Sequence, residues 1–180
     1  LRGIDAPADR IILCSGAQEG LMATLATVTK PGDSVLTERL NYAGIKRLAD
    51  LFHLDIRGVD ADEQGLKPES LREAAKGTSV GAVLCSPTLH NPTNAIMSLE
   101  RRLEILSIAR ELRVHVIEDD SYGHLSGDET PTMASLDPER TIYLCGTSKS
   151  IAPGLRIGFV LAPTSIIARL SEGFHATAWT

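Results

Sequence analysis

Basic charge is in short supply in this sequence. Its 18 lysines and arginines are outnumbered by 23 aspartates and glutamates, for a formal net charge of -5. That balance argues against nucleic-acid binding through this segment, because phosphate backbones are held by a basic face. No apolar run reaches the length of a membrane span and no basic-then-apolar leader opens the chain, so no membrane partner is expected. The five histidines are scattered without metal-ligand spacing, and no metal is expected. Cys14, Cys85 and Cys145 each fall late in an apolar run; an odd count without paired spacing fits buried reduced thiols in a cytoplasm. Internal repeats, low-complexity tracts and linkers are also missing. An initiator methionine is absent too, and the last residues fall inside an amphipathic segment. Residues 1–180 are therefore expected to be one domain cut at both ends.

What is present is an alternation of helix and strand patterns. Apolar runs at Arg10 to Cys14, Ser34 to Thr37, Leu54 to Val59, Val80 to Cys85, Val114 to Ile117, Thr141 to Cys145 and Arg156 to Leu161 read as strands. Helical periodicity predicts helices over Ala17 to Thr29, Tyr42 to Phe52, Pro68 to Ala75, Leu99 to Leu112 and Pro163 to Glu172. In the helix capped by Ser98, an apolar stripe is expected at Leu99, Leu103, Leu106 and Ala109, with the charges on the opposite face. Asp60 to Gly65 reads as a charged turn and Gly123 to Pro138 as irregular. Strands that are apolar throughout, instead of alternating, are buried on both faces. The fold class is therefore α/β, a three-layer αβα domain with a mostly parallel sheet.

In such sheets ligands sit beyond the carboxyl ends of the strands. Gly16, Asn91, Asp119 and Lys149 each fall just past a strand and should share that rim. Lys149 follows a turn of small residues, Gly146-Thr147-Ser148, where partial desolvation can make an amine nucleophilic toward a carbonyl. Gly16, Ala17 and Gln18 open a helix whose free N–H groups suit a phosphate, and Arg156 adds a planar fork for the same group. Asp119 is a carboxylate in need of a cation, Asn91 an amide, and Tyr42 and Tyr122 offer an aromatic face and a phenol. Taken singly, each is an ordinary turn, cap or packing residue. Together they describe a receptor for a flat, phosphorylated, carbonyl-bearing heterocycle, a description that pyridoxal 5'-phosphate meets.

The motifs SGAQ (Ser15–Gln18), PGD (Pro31–Asp33), HNPT (His90–Thr93), EDDSYG (Glu118–Gly123) and SKSIAPGLRIG (Ser148–Gly158) occur in this order. On them the sequence resembles the large, cofactor-binding domain of the class I/II aminotransferases, the fold-type I pyridoxal-phosphate enzymes of aspartate aminotransferase type. The wording TERLNYAG, SPTLHNPT, EDDSYGHL and APGLRIGFV is similar to the MocR-type branch of GntR regulators, and to stand-alone 2-aminoadipate or kynurenine-type aminotransferases. The resemblance implies that Lys149 forms a Schiff base with the cofactor and Asp119 pairs with its ring nitrogen. It implies that Asn91 and Tyr122 bond the ring oxygen and that Tyr42 stacks on the ring. Arg156 and Ser148, with the amides of Gly16 and Ala17, would hold the phosphate, and Gln18 lies at that end. Two departures stand out. Gly146 takes the place of a hydroxyl residue that the family often has three before the lysine. The family's small-domain arginine for the substrate carboxylate has no counterpart within residues 1–180.

Three functions follow as expectations. One is an effector-sensing domain exchanging its lysine adduct with an amino acid, beside a DNA-binding module outside this segment. Another is a stand-alone amino acid aminotransferase, and the third is a cofactor-binding fold used for dimerisation. The resemblance also implies a homodimer, since members of the family assemble as homodimers.

Overall fold

The computed structural model describes residues 2–177. A seven-stranded sheet runs through its middle in the order β1-β9-β8-β7-β6-β2-β3. Its strands are β1 (Ile11–Cys14), β2 (Ser34–Glu38), β3 (Asp55–Val59), β6 (Val80–Cys85), β7 (His115–Asp119), β8 (Thr141–Gly146) and β9 (Gly158–Leu161). The five strands from β8 to β3 are mutually parallel, and β9 lies antiparallel between β8 and β1. The sheet is thus mostly parallel, as the unbroken apolar strands require. A separate two-stranded hairpin, β4 (Ala61–Asp62) with β5 (Gly65–Leu66), replaces the charged turn expected there; Gly65 at φ +78 makes its return possible.

Neighbouring residues on one strand serve opposite layers, as the two-residue period dictates. Val35, Ala82, Ile117 and Ile142 pack beneath α1 (Ala17–Val28), α2 (Gly44–Phe52) and α6 (Ile167–Thr177), with Leu21, Leu25, Ile45 and Leu170. Leu36, Val83 and Val116 face the other way, onto α3 (Pro68–Ala74), α4 (Leu99–Leu112) and α5 (Met133–Leu136). The four-residue α5 lies inside the stretch expected to be irregular. It forms because the Thr132 side chain caps it and the buried Glu118 carboxylate accepts the Met133 and Ala134 amides at 3.0 and 2.9 Å. No described helix is long and apolar enough to cross a membrane.

The α4 stripe differs from the expected one. Leu99 and Leu103 are 44% and 47% exposed, whereas Arg102, Ile105, Leu106, Ile108 and Ala109 are buried. Positions 102, 105, 106 and 109 form a regular helical face whose first member is an arginine. Arg102 is fully enclosed because carbonyl and hydroxyl acceptors surround its guanidinium. Nε donates to Met97 O at 3.1 Å, Nη1 to Pro131 O at 2.9 Å, and Nη2 to Thr88 Oγ1 at 3.0 Å.

Candidate functional site

Strand direction puts the ends of β1, β8, β7, β6 and β2 and the start of β9 on one rim, and a cleft of about 260 Å³ opens there. Its lining includes Ala17, Gln18, Tyr42, Asn91, Asp119, Tyr122, Ser148, Lys149 and Arg156. Loops distant along the chain therefore meet as expected, with Lys149 and Asp119 on one cleft. Gly16 is not part of the lining. It stands behind Arg156, and a Cβ on it would lie 2.9 Å from that residue's Nη2.

The close approach of α1 to the strands depends on a glycine of β9. Gly146 of β8 and Gly158 of β9 are register partners. A Cβ on Gly158 would fall 2.5 Å from the Gly16 carbonyl carbon and 2.8 Å from the Ala17 nitrogen. With only hydrogens there, the start of α1 settles onto the sheet and brings Ala17 and Gln18 to the cleft. No side chain caps this helix, so its first amides and the positive end of its dipole are available to an anion. A Cβ on Gly146 would lie 3.2 Å from Ile157 O and 3.5 Å from the Ala17 nitrogen, so the approach of α1 does not depend on a glycine there.

Arg156 sits elsewhere than expected. It does not lie on the returning strand, which starts only at Gly158; it ends a 3-10 turn (Pro153–Leu155) in the left-handed conformation, φ +50. One guanidinium nitrogen donates to Ser15 O at 3.1 Å. The side chain thus crosses in front of Gly16 while the rest of its fork stays open to the cleft.

The acidic run ending β7 divides by strand alternation. Glu118 turns to α5. Asp120 turns to Arg2, at 3.1 Å, and to the Tyr143 hydroxyl, which donates to it at 2.6 Å. Asp119, between them, faces the cleft. Its Oδ1 accepts the Ser121 amide at 3.0 Å and the Ser121 hydroxyl at 2.5 Å. Oδ2 has no protein donor among the described residues. Burial raises the Asp119 pKa above the usual carboxylate range, because desolvation penalises the charged form. A cationic ligand group would offset that penalty.

Lys149 Nζ lies 5.5 Å from the centre of the Tyr122 ring, within cation–π range, and its amine forms no ion pair among the described residues. The Asn91 amide and the Tyr122 hydroxyl likewise have no side-chain partner among them. The loop that carries Asn91 is held from below by His90, whose Nδ1 shares a hydrogen bond with Thr93 Oγ1 at 2.8 Å; the Asn91-Pro92 peptide is cis. The Tyr42 ring folds across Gly44, where any Cβ would collide with it. Asn41, Ser86 and Ser121 also line the cleft and were not expected. Ser86 was findable, since it directly follows β6, whereas Asn41 and Ser121 offer only adjacency to Tyr42 and Asp119.

These features define an αβα domain with a lysine-bearing ligand cleft at the carboxyl ends of parallel strands. The family model for aminotransferase class I and II matches residues 3–174, and the chain belongs to that family. It is 34% identical over 173 residues to the uncharacterized HTH-type transcriptional regulator YdeF of Bacillus subtilis, covering 96% of this chain and 37% of that protein. It is 31% identical over 176 residues to the mitochondrial kynurenine/alpha-aminoadipate aminotransferase of Bos taurus, covering 90% of this chain and 41% of that one. Among solved structures, Pyrococcus horikoshii kynurenine aminotransferase, crystallised with PMP, superposes with a TM-score of 0.86 at 31% identity over 93% of this chain and 43% of its own. The chain thus spans roughly two fifths of these relatives' length. It is an aminotransferase class I/II domain whose relatives include both regulators and enzymes.

Proposed function

We propose that the cleft holds pyridoxal 5'-phosphate through Lys149 and that the domain exchanges this adduct with an amino acid, as the effector-sensing part of a MocR/GntR-type regulator. The observation that carries the reading is the convergence of Lys149, Asn91, Tyr122, the open oxygen of Asp119 and the free fork of Arg156 on one small cleft. Acceptors and donors without protein partners are what a polar, charged ligand needs. When bound, the cofactor supplies an electron sink for the bond broken at the amino acid's α-carbon.

The chain's own groups then divide the work. The Lys149 amine would hold the cofactor's aldehyde carbon and would serve as the base for the amino acid's α-proton. Asp119 Oδ2 would hold a proton at the ring nitrogen, an attraction that the buried setting strengthens. Asn91 and Tyr122 would bond the ring oxygen, and Tyr42 would pack on the ring. Arg156, Ser148 and the first amides of α1, with Gly16 behind them, bind the phosphate, and Gln18 borders that end. Residues 1–180 would be the large domain; the arginine for the substrate carboxylate, expected in a small domain, lies outside them. The setting is a cytoplasmic homodimer, with DNA contacted only through a module outside this segment.

Incubation with pyridoxal 5'-phosphate, borohydride reduction and peptide mapping tests the assignment. The label should fall on Lys149, and Lys149→Ala should lose the visible absorbance band. Labelling of another lysine, or an unchanged band in the variant, would refute it. The Bos taurus relative favours a second reading, a stand-alone amino acid aminotransferase. Turnover of a panel of amino acids by the intact protein, without ligand-dependent DNA binding, would select it.

A further inference from the structure

Glu38 takes no part in the chemistry above, yet it is a carboxylate only 2% exposed at the end of β2, directly under the cleft. Burial pushes its pKa up to about 7, so placing an acid here costs stability that an apolar residue would not cost. Its bonds show what that cost secures. Oε1 accepts the Ser86 amide at 3.0 Å, and Oε2 accepts the Asn41 side-chain amide at 3.0 Å and the Thr37 hydroxyl at 3.1 Å. Asn41 in turn donates to Thr37 Oγ1 at 2.5 Å and accepts the Tyr42 backbone N–H at 2.6 Å. Ser86 starts the loop that reaches Asn91, and Asn41 starts the loop that presents Tyr42; both also line the cleft.

We propose that Glu38 is a positioning residue: one carboxylate ties the Tyr42 loop to the Asn91 loop and so sets the width of the cleft for the ligand ring. The ionised carboxylate, the form that prevails above about pH 7, does this with two acceptor oxygens and no donor. A glutamine has a single acceptor oxygen, and its amide would confront either the Ser86 N–H or the Asn41 amide, releasing one loop. The effect on a ligand rests on the pyridoxal-phosphate reading; the brace itself exists without any ligand.

The test compares wild type, Glu38→Gln, Asn41→Ala and the double variant. NMR hydrogen exchange should show the Ser86 amide losing about tenfold of its protection in Glu38→Gln, the equivalent of one lost hydrogen bond. The dissociation constant for pyridoxal 5'-phosphate should rise about tenfold in either single variant and no further in the double, because both act through one network. The circular dichroism band of the bound cofactor should weaken alongside, reporting a displaced ring. Unchanged Ser86 protection, additive losses, or affinities within about twofold of wild type would overturn the proposal. Should Glu38→Gln not fold, Asn41→Ala decides alone, since that side chain is partly exposed: a lost Tyr42 amide bond and weakened affinity support the brace, and neither change sinks it. A wild-type protein that takes up no cofactor would refute the cofactor reading while the amide exchange still decides the brace.

Discussion

Replacing Arg102 by methionine should be among the more damaging single substitutions in this domain, although the residue looks like a surface charge in the sequence. Methionine keeps the apolar stem but ends near the position of Nε, so the change removes the buried guanidinium with its donors and leaves its space unfilled. It removes three close donations from a charged group, to Met97 O, Pro131 O and Thr88 Oγ1, and the weaker pairing with Asp128 at 3.4 Å. Hydrogen bonds to charged groups contribute about 1.5–3 kcal/mol each, but the guanidinium has already lost its hydration on burial, which cancels much of the sum. Breaking a buried charged network from one side costs about 3–5 kcal/mol on balance. Against a total stability on the order of 5–15 kcal/mol, that is about a fifth of the margin or more. Urea unfolding should therefore show a clearly lower midpoint for Arg102→Met with an unchanged slope. Arg102→Lys should fall between, since an ammonium keeps the charge but cannot reach three diverging acceptors. The network holds Pro87 and Thr88 at the root of the Asn91 loop, so cofactor affinity should fall with stability. A methionine variant within about 1 kcal/mol of wild type would refute the reasoning, because it would mean that the acceptors find water or other donors at no cost.

Three further outcomes follow from the site. Gly16→Ala meets both a φ of +97 and the Arg156 guanidinium; it should cost about 1 kcal/mol and weaken phosphate binding, measured as inhibition of cofactor uptake by inorganic phosphate. Gly158→Ala forces a Cβ into the Gly16 and Ala17 backbone, which cannot rotate aside, so thermal melting should show a larger loss than at Gly16. The third concerns pH. Burial raises the Glu38 pKa from an ordinary 4.5 to about 7, so the unfolded chain gives up this proton before the folded one does. The favourable contribution of the neutral acid is complete below about pH 4.5 and disappears as pH rises through 7, a swing of up to about 3 kcal/mol at 1.36 kcal/mol per pKa unit. Asp119 and Cys85 are the other ionisable groups whose charge couples to Glu38, and neither reverses the sign. The stability of wild type relative to Glu38→Gln should therefore fall between pH 5 and 8 in paired urea titrations; a difference independent of pH would contradict this.

How much of this was legible beforehand depended on whether a residue's chemistry agreed with its environment. The doubly covered sheet was legible because Val35 and Leu36, or Val116 and Ile117, are apolar on both faces, which only a three-layer fold requires. Asn91, Asp119 and Lys149 were legible as rim residues because each lies at or shortly after the end of such a strand. Arg102 and Glu38 were not: each is charged and buried, and an arginine at the first position of the α4 stripe shifts the apparent stripe onto Leu99 and Leu103. The enclosing acceptors, Met97 O, Pro131 O and Thr88 Oγ1, come from segments whose proximity depends on the completed fold. The place of Arg156 was hidden for a related reason. Its neighbours Leu155 and Ile157 are apolar like a strand, but both are exposed, and the turn around them is fixed by contacts with Ser15 and Thr147.

The same distinction bears on how an occupant of the cleft could be sensed. Lys149 and Arg156 are exposed and lie on turns, whereas Asp119, Asn91 and Tyr42 are tied, through Ser121, His90 and Asn41, to groups that are themselves buried or packed at strand ends. A ligand that bridges the two sets joins exposed turns to loops that are tied to strand ends. On the proposed reading, exchange of a lysine adduct for an amino acid adduct would free the Lys149 turn and leave the tied loops in place. The difference between the two states would then concentrate in residues 147–157, where Ile151, Leu155 and Ile157 offer exposed apolar surface to whatever lies beyond. Hydrogen exchange with and without an amino acid should accordingly change most over this segment and little over residues 80–91. Equal change in both would mean that the tied loops move with the turn, and a signal confined to the lysine turn would be excluded.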